Sequence, residues 1–209
     1  MTRSITNTKP SGELYGHADR LIGFSDGVIA IAVTLLILPL VDNASELRLD
    51  SLDVFISDVA PQFLIFLLSF VVICRYWLVH HNLFRFLKGF NGPLFWLNAL
   101  WLLSIVVIPF PTELLGRIGP DVPFVTGLYI ANLLVTALAG VAIERQIKRH
   151  PELRKDDAPT PSLALGSASV LLLFVALIIS VVFPSVGPWS LLLLFGTSFV
   201  TNRLLRFQK

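Results

Sequence analysis

Six apolar stretches, each near the length that crosses a bilayer, are cut apart in this chain by short polar segments rich in proline, glycine and charge. A spanning helix needs about 20 apolar residues. With 55% of its 209 residues hydrophobic and 14% charged, the chain has too little polar surface for a soluble domain. The sequence therefore predicts an all-α membrane protein, a single six-helix unit over residues 1–209 with no room for a separate soluble domain.

The predicted helices are about 20–41, 52–82, 91–113, 122–146, 162–183 and 187–206. Breakers bound them. Pro39 and Asp42-Asn43 close the first, Asn91-Gly92-Pro93 opens the third, Pro109 and Pro111 break its end, and Gly119-Pro120 precedes the fourth. The polar N-terminus lacks the pattern of a cleaved secretory signal, so the first helix is expected to be permanent. Cys74 is the only cysteine, which excludes an intrachain disulfide and a cysteine-based metal cluster. A net charge of +2 gives no reason to expect nucleic acid.

Basic residues orient the bundle, because loops rich in Lys and Arg resist translocation. Fourteen of the sixteen fall in the N-terminal segment, the second-to-third region, the fourth-to-fifth loop and the C-terminal end. Arg48 and Arg117 alone belong to the other side, where Asp42, Glu46, Asp50, Glu113 and Asp121 gather. Both termini are expected in the cytoplasm. No internal repeat is evident, and the last two helices, rich in Leu, Val and Ile, read as lipid-facing scaffold.

Helix one carries the unusual chemistry. Arg20, Phe24, Ser25 and Asp26 stand at its head, and an ionised carboxylate within a bilayer costs roughly 2.5 kcal/mol at minimum unless it is partnered or beside water. At 100° per residue, Ile31, Leu35 and Leu38 form a narrow stripe with Thr34 on its flank, while Asp26 lies on roughly the opposite side. The stripe is either packing or lipid contact, or the aliphatic constriction of a pore. Asp26 is either a proton or cation site or a structural anchor. Arg20 is too far along the helix for i,i+4 pairing with it. Candidate partners are Trp77, His80, His81 and Asn82 on helix two and Asn98 and Trp101 on helix three. A hydrogen-bonded knot joining Ser25 and Asp26 to His80 or His81 and Asn98 would satisfy these groups together. A metal site is not expected, because adjacent histidines diverge by about 100° and no Cys or acidic cluster joins them.

The run Arg20-x-x-x-Phe24-Ser25-Asp26, continuing Gly27-Val28-x-Ala30-Ile31-Ala32-x-Thr34-Leu35-Leu36, resembles the signature of the transmembrane protein 175 family, the endosomal and lysosomal potassium channels, in its single-repeat prokaryotic form. The resemblance extends more loosely through Tyr76-Trp77, His80-His81-Asn82 and Asn98. It implies a potassium-permeable homotetramer in the cell membrane, a prokaryotic plasma membrane, with helix one of each copy around a central pore. It further implies that Ile31 forms the hydrophobic constriction, that Leu35 and Leu38 add layers, and that Thr34 contributes to potassium preference. Arg20, Phe24, Ser25 and Asp26 would hold helix one against helices two and three. Potassium would be a transient occupant, with no cofactor, resident metal or small-molecule substrate, and membrane lipid as the surroundings.

A secondary transporter using Asp26 as its coupling carboxylate is the alternative, although inverted repeats and broken midplane helices are missing. A non-conducting scaffold is the third reading. An enzyme is not expected: the sequence has no nucleophile elbow, metal triad or phosphate loop.

Overall fold

The computed structural model describes residues 16–44, 56, 59–156, 158 and 163–182. The described residues are all helical apart from turns: α1 (Ala18–Leu35), α2 (Leu38–Ala44), α3 (Ala60–Phe84), α4 (Gly92–Val107), α5 (Pro109–Ile118), α6 (Pro123–Arg149), a 3-10 turn (Pro151–Leu153) and α7 (Leu163–Val182). Among the described residues, four spans, Ala18–Asp42, Ala60–Phe84, Gly92–Ile118 and Pro123–Arg149, are long and apolar enough to cross a membrane, and Gly166–Val182 is a shorter apolar helix. The chain is a multi-pass membrane protein. The stretch expected to form a helix over 187–206 lies outside the described residues.

Proline decides most of the boundaries. It stands in the first turn of α3, α4, α5 and α6, where its missing N–H removes no intrahelical bond. Asn91 caps α4, its side chain accepting from the Leu94 N–H at 3.0 Å. Gly119 ends α5 with φ of 92°, a conformation that side-chain-bearing residues rarely adopt. Pro39 does not close the first helix as the sequence predicts. The chain loosens at Leu36 and Ile37, whose N–H groups reach carbonyls only at 3.4 Å, and Pro39 then sits in the first turn of α2. A proline restricts the residue before it and supplies no N–H, so the interruption falls upstream of the ring.

The bundle has an order. α1 packs on α3, α4 and α5, α4 packs on α6, and α6 packs on α7. Tyr129, Ile130, Leu133, Ile143 and Ile147 of α6 are fully or almost fully buried, as are Leu94, Trp101 and Ile105 of α4. Buried hydroxyls add directional bonds to this apolar core. Ser69 of α3 meets Thr112 of α5 at 2.9 Å and Tyr129 of α6 at 3.1 Å, and the Tyr76 hydroxyl donates to the Leu133 carbonyl. In a bilayer such bonds replace the water these groups would otherwise keep.

Isolated bridges join His17 to Gly89 and Leu87 to Arg154, so the head of α1, the α3–α4 turn and the segment after α6 meet at one end of the bundle. That end carries Arg85, Lys88, Lys148, Arg149 and Lys155. Glu113 and Arg117, paired at 3.0 Å on α5, mark the other end. The clustering of basic residues at one end, expected from the loops, is present among the described residues.

Candidate functional site

Helix one has two faces of opposite character. Ala18, Leu21, Ser25, Ile29, Ala32 and Leu36 are buried against the bundle. Ile31 is 62% exposed, Leu38 49% and Leu35 38%, with Gly27, Ala30 and Thr34 exposed beside them. A small-residue gap and a bulky aliphatic stripe therefore share the outer face. The Thr34 hydroxyl donates to the Ile31 carbonyl at 2.8 Å, which leaves the lone pairs of its oxygen as the unused part of the group.

The inner face is tied down by a directed chain of hydrogen bonds. Ser25 donates its only hydroxyl hydrogen to the Leu21 carbonyl at 2.9 Å, so it can only accept from Asn98 Nδ2 at 3.0 Å. That orients the Asn98 amide and turns its Oδ1 to His80, 2.7 Å from Nε2. The bond requires His80 to carry its proton on Nε2, because a carbonyl oxygen cannot donate. Phe84 and Trp101 sandwich the imidazole, with ring centroids 3.9 and 4.3 Å away. α1, α3 and α4 are thus joined through three buried side chains.

Asp26 stands at the edge of this inner face. Its Oδ1 accepts from the Trp77 indole N–H at 2.8 Å, and its Oδ2 lies 3.9 Å from Nδ1 of His81. The carboxylate is 36% exposed, and His81 also packs on the Trp77 ring with centroids 5.4 Å apart. Asp26 joins α1 to α3, as the Ser25 chain joins it to α3 and α4.

The four motif residues divide between the two faces. Ser25 and Asp26 turn inward, but Arg20 and Phe24 fall on the outer face at the helical spacing that continues the Ile31 stripe. Phe24 is 62% exposed. Arg20 is exposed and makes no hydrogen bond or ion pair among the described residues. Seven residues separate Phe24 from Ile31, close to two turns, so they share a face. All the candidate partners on α3 and α4 except Asn82 enter the network: Trp77, His80, His81, Asn98 and Trp101. No group of three or more metal-binding side chains occurs among the described residues.

Two polar features escaped the sequence reading. The Ser69–Thr112–Tyr129 cluster is invisible to hydropathy, because hydroxyls barely lower it. Glu144 is a carboxylic acid inside the apolar run of α6, buried at 9% exposure, and the reasoning applied to Asp26 would have found it.

The chain is 30% identical over 172 residues to a potassium channel of Chamaesiphon minutus, covering 78% of this chain and 85% of that protein. The family model for the endosomal/lysosomal potassium channel TMEM175 matches residues 20–109. This chain belongs to the TMEM175 family. A second relative, a potassium channel of a Chryseobacterium, is 33% identical over 129 residues, 59% of this chain and 64% of that one. The crystal structure of a lysosomal potassium-selective channel TMEM175 homologue from Chamaesiphon minutus superposes with a TM-score of 0.61 at 25% identity, covering 88% of this chain and 98% of that one. The family match spans the segment that builds α1 through α4, and so includes α1, α3 and α4, the helices joined by Ser25, Asp26, His80 and Asn98.

Proposed function

We propose that this TMEM175-family protein is a potassium-permeable channel in which α1 of four identical chains lines a central pore. The observation that carries the reading is the outer face of α1. A helix anchored on one side by directed hydrogen bonds presents on the other an aliphatic stripe that the described residues leave uncovered. Around a fourfold axis that stripe meets its copies, with Ile31 as the narrowest layer and Leu35 and Leu38 as further layers. Each chain contributes one six-helix unit over residues 1–209, with both termini in the cytoplasm of a prokaryotic plasma membrane.

Aliphatic rings supply no oxygen to replace the ion's hydration shell, so a tight ring of Ile31 side chains dewets and blocks, and conduction requires it to widen. Thr34 stands one turn further along with its hydroxyl proton engaged and its oxygen lone pairs free to face a cation. Selection for potassium is accordingly modest. Ser25 and Asp26 set the position of the lining helix and do not coordinate the ion. Conduction is passive and breaks no covalent bond.

A transporter reading draws on Asp26, whose part-exposed carboxylate lies beside His81. Coupling separates the two. Purified protein in potassium-loaded liposomes should pass potassium down its gradient without a co-ion, at rates that do not saturate like a carrier, and Ile31→Asn should raise the flux. Flux that requires an opposing proton gradient and ends with Asp26→Asn would establish the transporter instead.

A further inference from the structure

Behind the anchor of helix one, between α3, α4, α6 and α7, lies a cavity of about 150 Å³. Its wall is largely aliphatic, including Val72, Leu83, Val141 and Leu173, and it is also lined by Arg75, His80 and Glu144. Nδ1 of His80 and Oε2 of Glu144 are buried with no hydrogen-bond partner among the described residues. The residues themselves are 4% and 9% exposed. Because the Ser25–Asn98 chain fixes the proton of His80 on Nε2, its Nδ1 is an acceptor, and a carboxylate Oε2 is another.

Four other polar lining residues, Arg75, Tyr76, Thr136 and Ser169, have partners of their own. Arg75 and Ser169 each have interactions of their own, and the Tyr76 and Thr136 hydroxyls donate to backbone carbonyls. Among the described residues, no donor reaches either of the two acceptors. Buried acceptors left without one are destabilising, the more so in low dielectric. Space beside the carboxylate is kept by glycine. A Cβ on Gly166 would stand 2.8 Å from Glu144 Oε2 and 2.7 Å from Val141 Cγ2, closer than such atoms approach.

We infer that this cavity is a binding site for a small alkylammonium ion, its ammonium group donating to Glu144 and His80 and its chain lying on the aliphatic wall. Three N–H donors complement two acceptors, and the ligand's positive charge would favour the ionised form of the Glu144 carboxyl. An apolar cavity of about 150 Å³ holds a benzene-sized molecule, which limits the ligand to about six heavy atoms. The site is distinct from the outer face of α1. It adjoins that helix through His80, which bonds to Asn98, which bonds to Ser25.

The test uses the purified full-length chain in detergent, with n-pentylammonium as ligand and n-pentanol as its neutral match, read by thermal shift and by saturation-transfer NMR. The pentylammonium effect should saturate, the pentanol effect should not, and Glu144→Gln should weaken pentylammonium at least tenfold. Val79→Trp provides a second variant, since Val79 lines the cavity while remaining 52% exposed and so tolerates bulk. It should also weaken binding, and it decides the matter alone where Glu144→Gln does not fold. Equal effects of the alcohol and the ammonium, or binding unchanged in the folded variants, would overturn the site. Neither measurement depends on whether the protein conducts.

Discussion

The indole N–H of Trp77 on α3 donates to Oδ1 of Asp26 on α1 at 2.8 Å, across a sequence separation of 51 residues. This bond and the Ser25–Asn98–His80 chain hold one side of helix one from two directions. The opposite side is left to Arg20, Phe24, Ile31, Thr34, Leu35 and Leu38. An interhelical hydrogen bond in a membrane averages about 0.6 kcal/mol and seldom exceeds about 1.7. Removing one should loosen α1 without unfolding the bundle.

Trp77→Phe keeps an aromatic body and deletes only the donor to Asp26. It should lower unfolding stability by about 0.6–1.7 kcal/mol and leave ion preference unchanged. Asp26→Ala should act in the same direction and reduce the fraction of tetramer that survives mild detergent extraction. Intact tetramer with altered selectivity would contradict the anchoring role. Denaturant titration and size-exclusion chromatography provide the readings.

Asn98→Ala removes the centre of the chain and strands two partners at once, the Nε2–H of His80 and the accepting oxygen of Ser25. A buried group left unsatisfied costs about 1–3 kcal/mol, so this variant should lose more stability than Trp77→Phe. Unfolding followed by tryptophan fluorescence is well placed to show it, because Trp101 stacks on His80. A loss no larger than that of Trp77→Phe would mean that the three side chains do not act as a unit.

Gly119 supplies a different kind of constraint. At φ of 92° a side chain is strained even though open space surrounds its Cα. Gly119→Ala should therefore destabilise the α5–α6 turn by about 1–3 kcal/mol, with conduction intact in the folded fraction. Comparing the thermal midpoints of the two proteins checks it.

Much of this was legible in the residues because membranes punish unsatisfied polar groups. Asp26, the paired histidines and Asn98 stand out in apolar helices, and mutual satisfaction was enough to predict that they meet. The 100° periodicity likewise separated Asp26 from the Ile31 stripe. The direction of each bond was not legible, since which atom of His80 donates depends on Ser25 having one hydrogen to give. Nor was the outward placement of Arg20 and Phe24, which the motif's compactness in sequence disguises. The interruption at Leu36–Ile37 was not foreseen, because a proline perturbs the residues before it, although the span does run to Asp42 as expected. Glu144 was passed over because it adjoins the basic run that ends α6.

Thr34→Val keeps the branched shape and removes the oxygen. In reconstituted membranes it should move the potassium-to-sodium permeability ratio toward one while current persists. A ratio equal to that of the unmodified protein would remove Thr34 from the pathway.

The most direct measurement is the accessibility of helix one to a charged thiol reagent during conduction. In a Cys74→Ser background, Ile31→Cys and Leu38→Cys should each be blocked by a positively charged methanethiosulfonate applied to single channels in a bilayer. Ile29→Cys, whose native side chain is 4% exposed on the anchored face, should be unaffected. Block at Ile31 and Leu38 but not at Ile29 is the result predicted for a pore lined by the outer face of α1. Current that persists unchanged after reagent has demonstrably modified Ile31→Cys would contradict it.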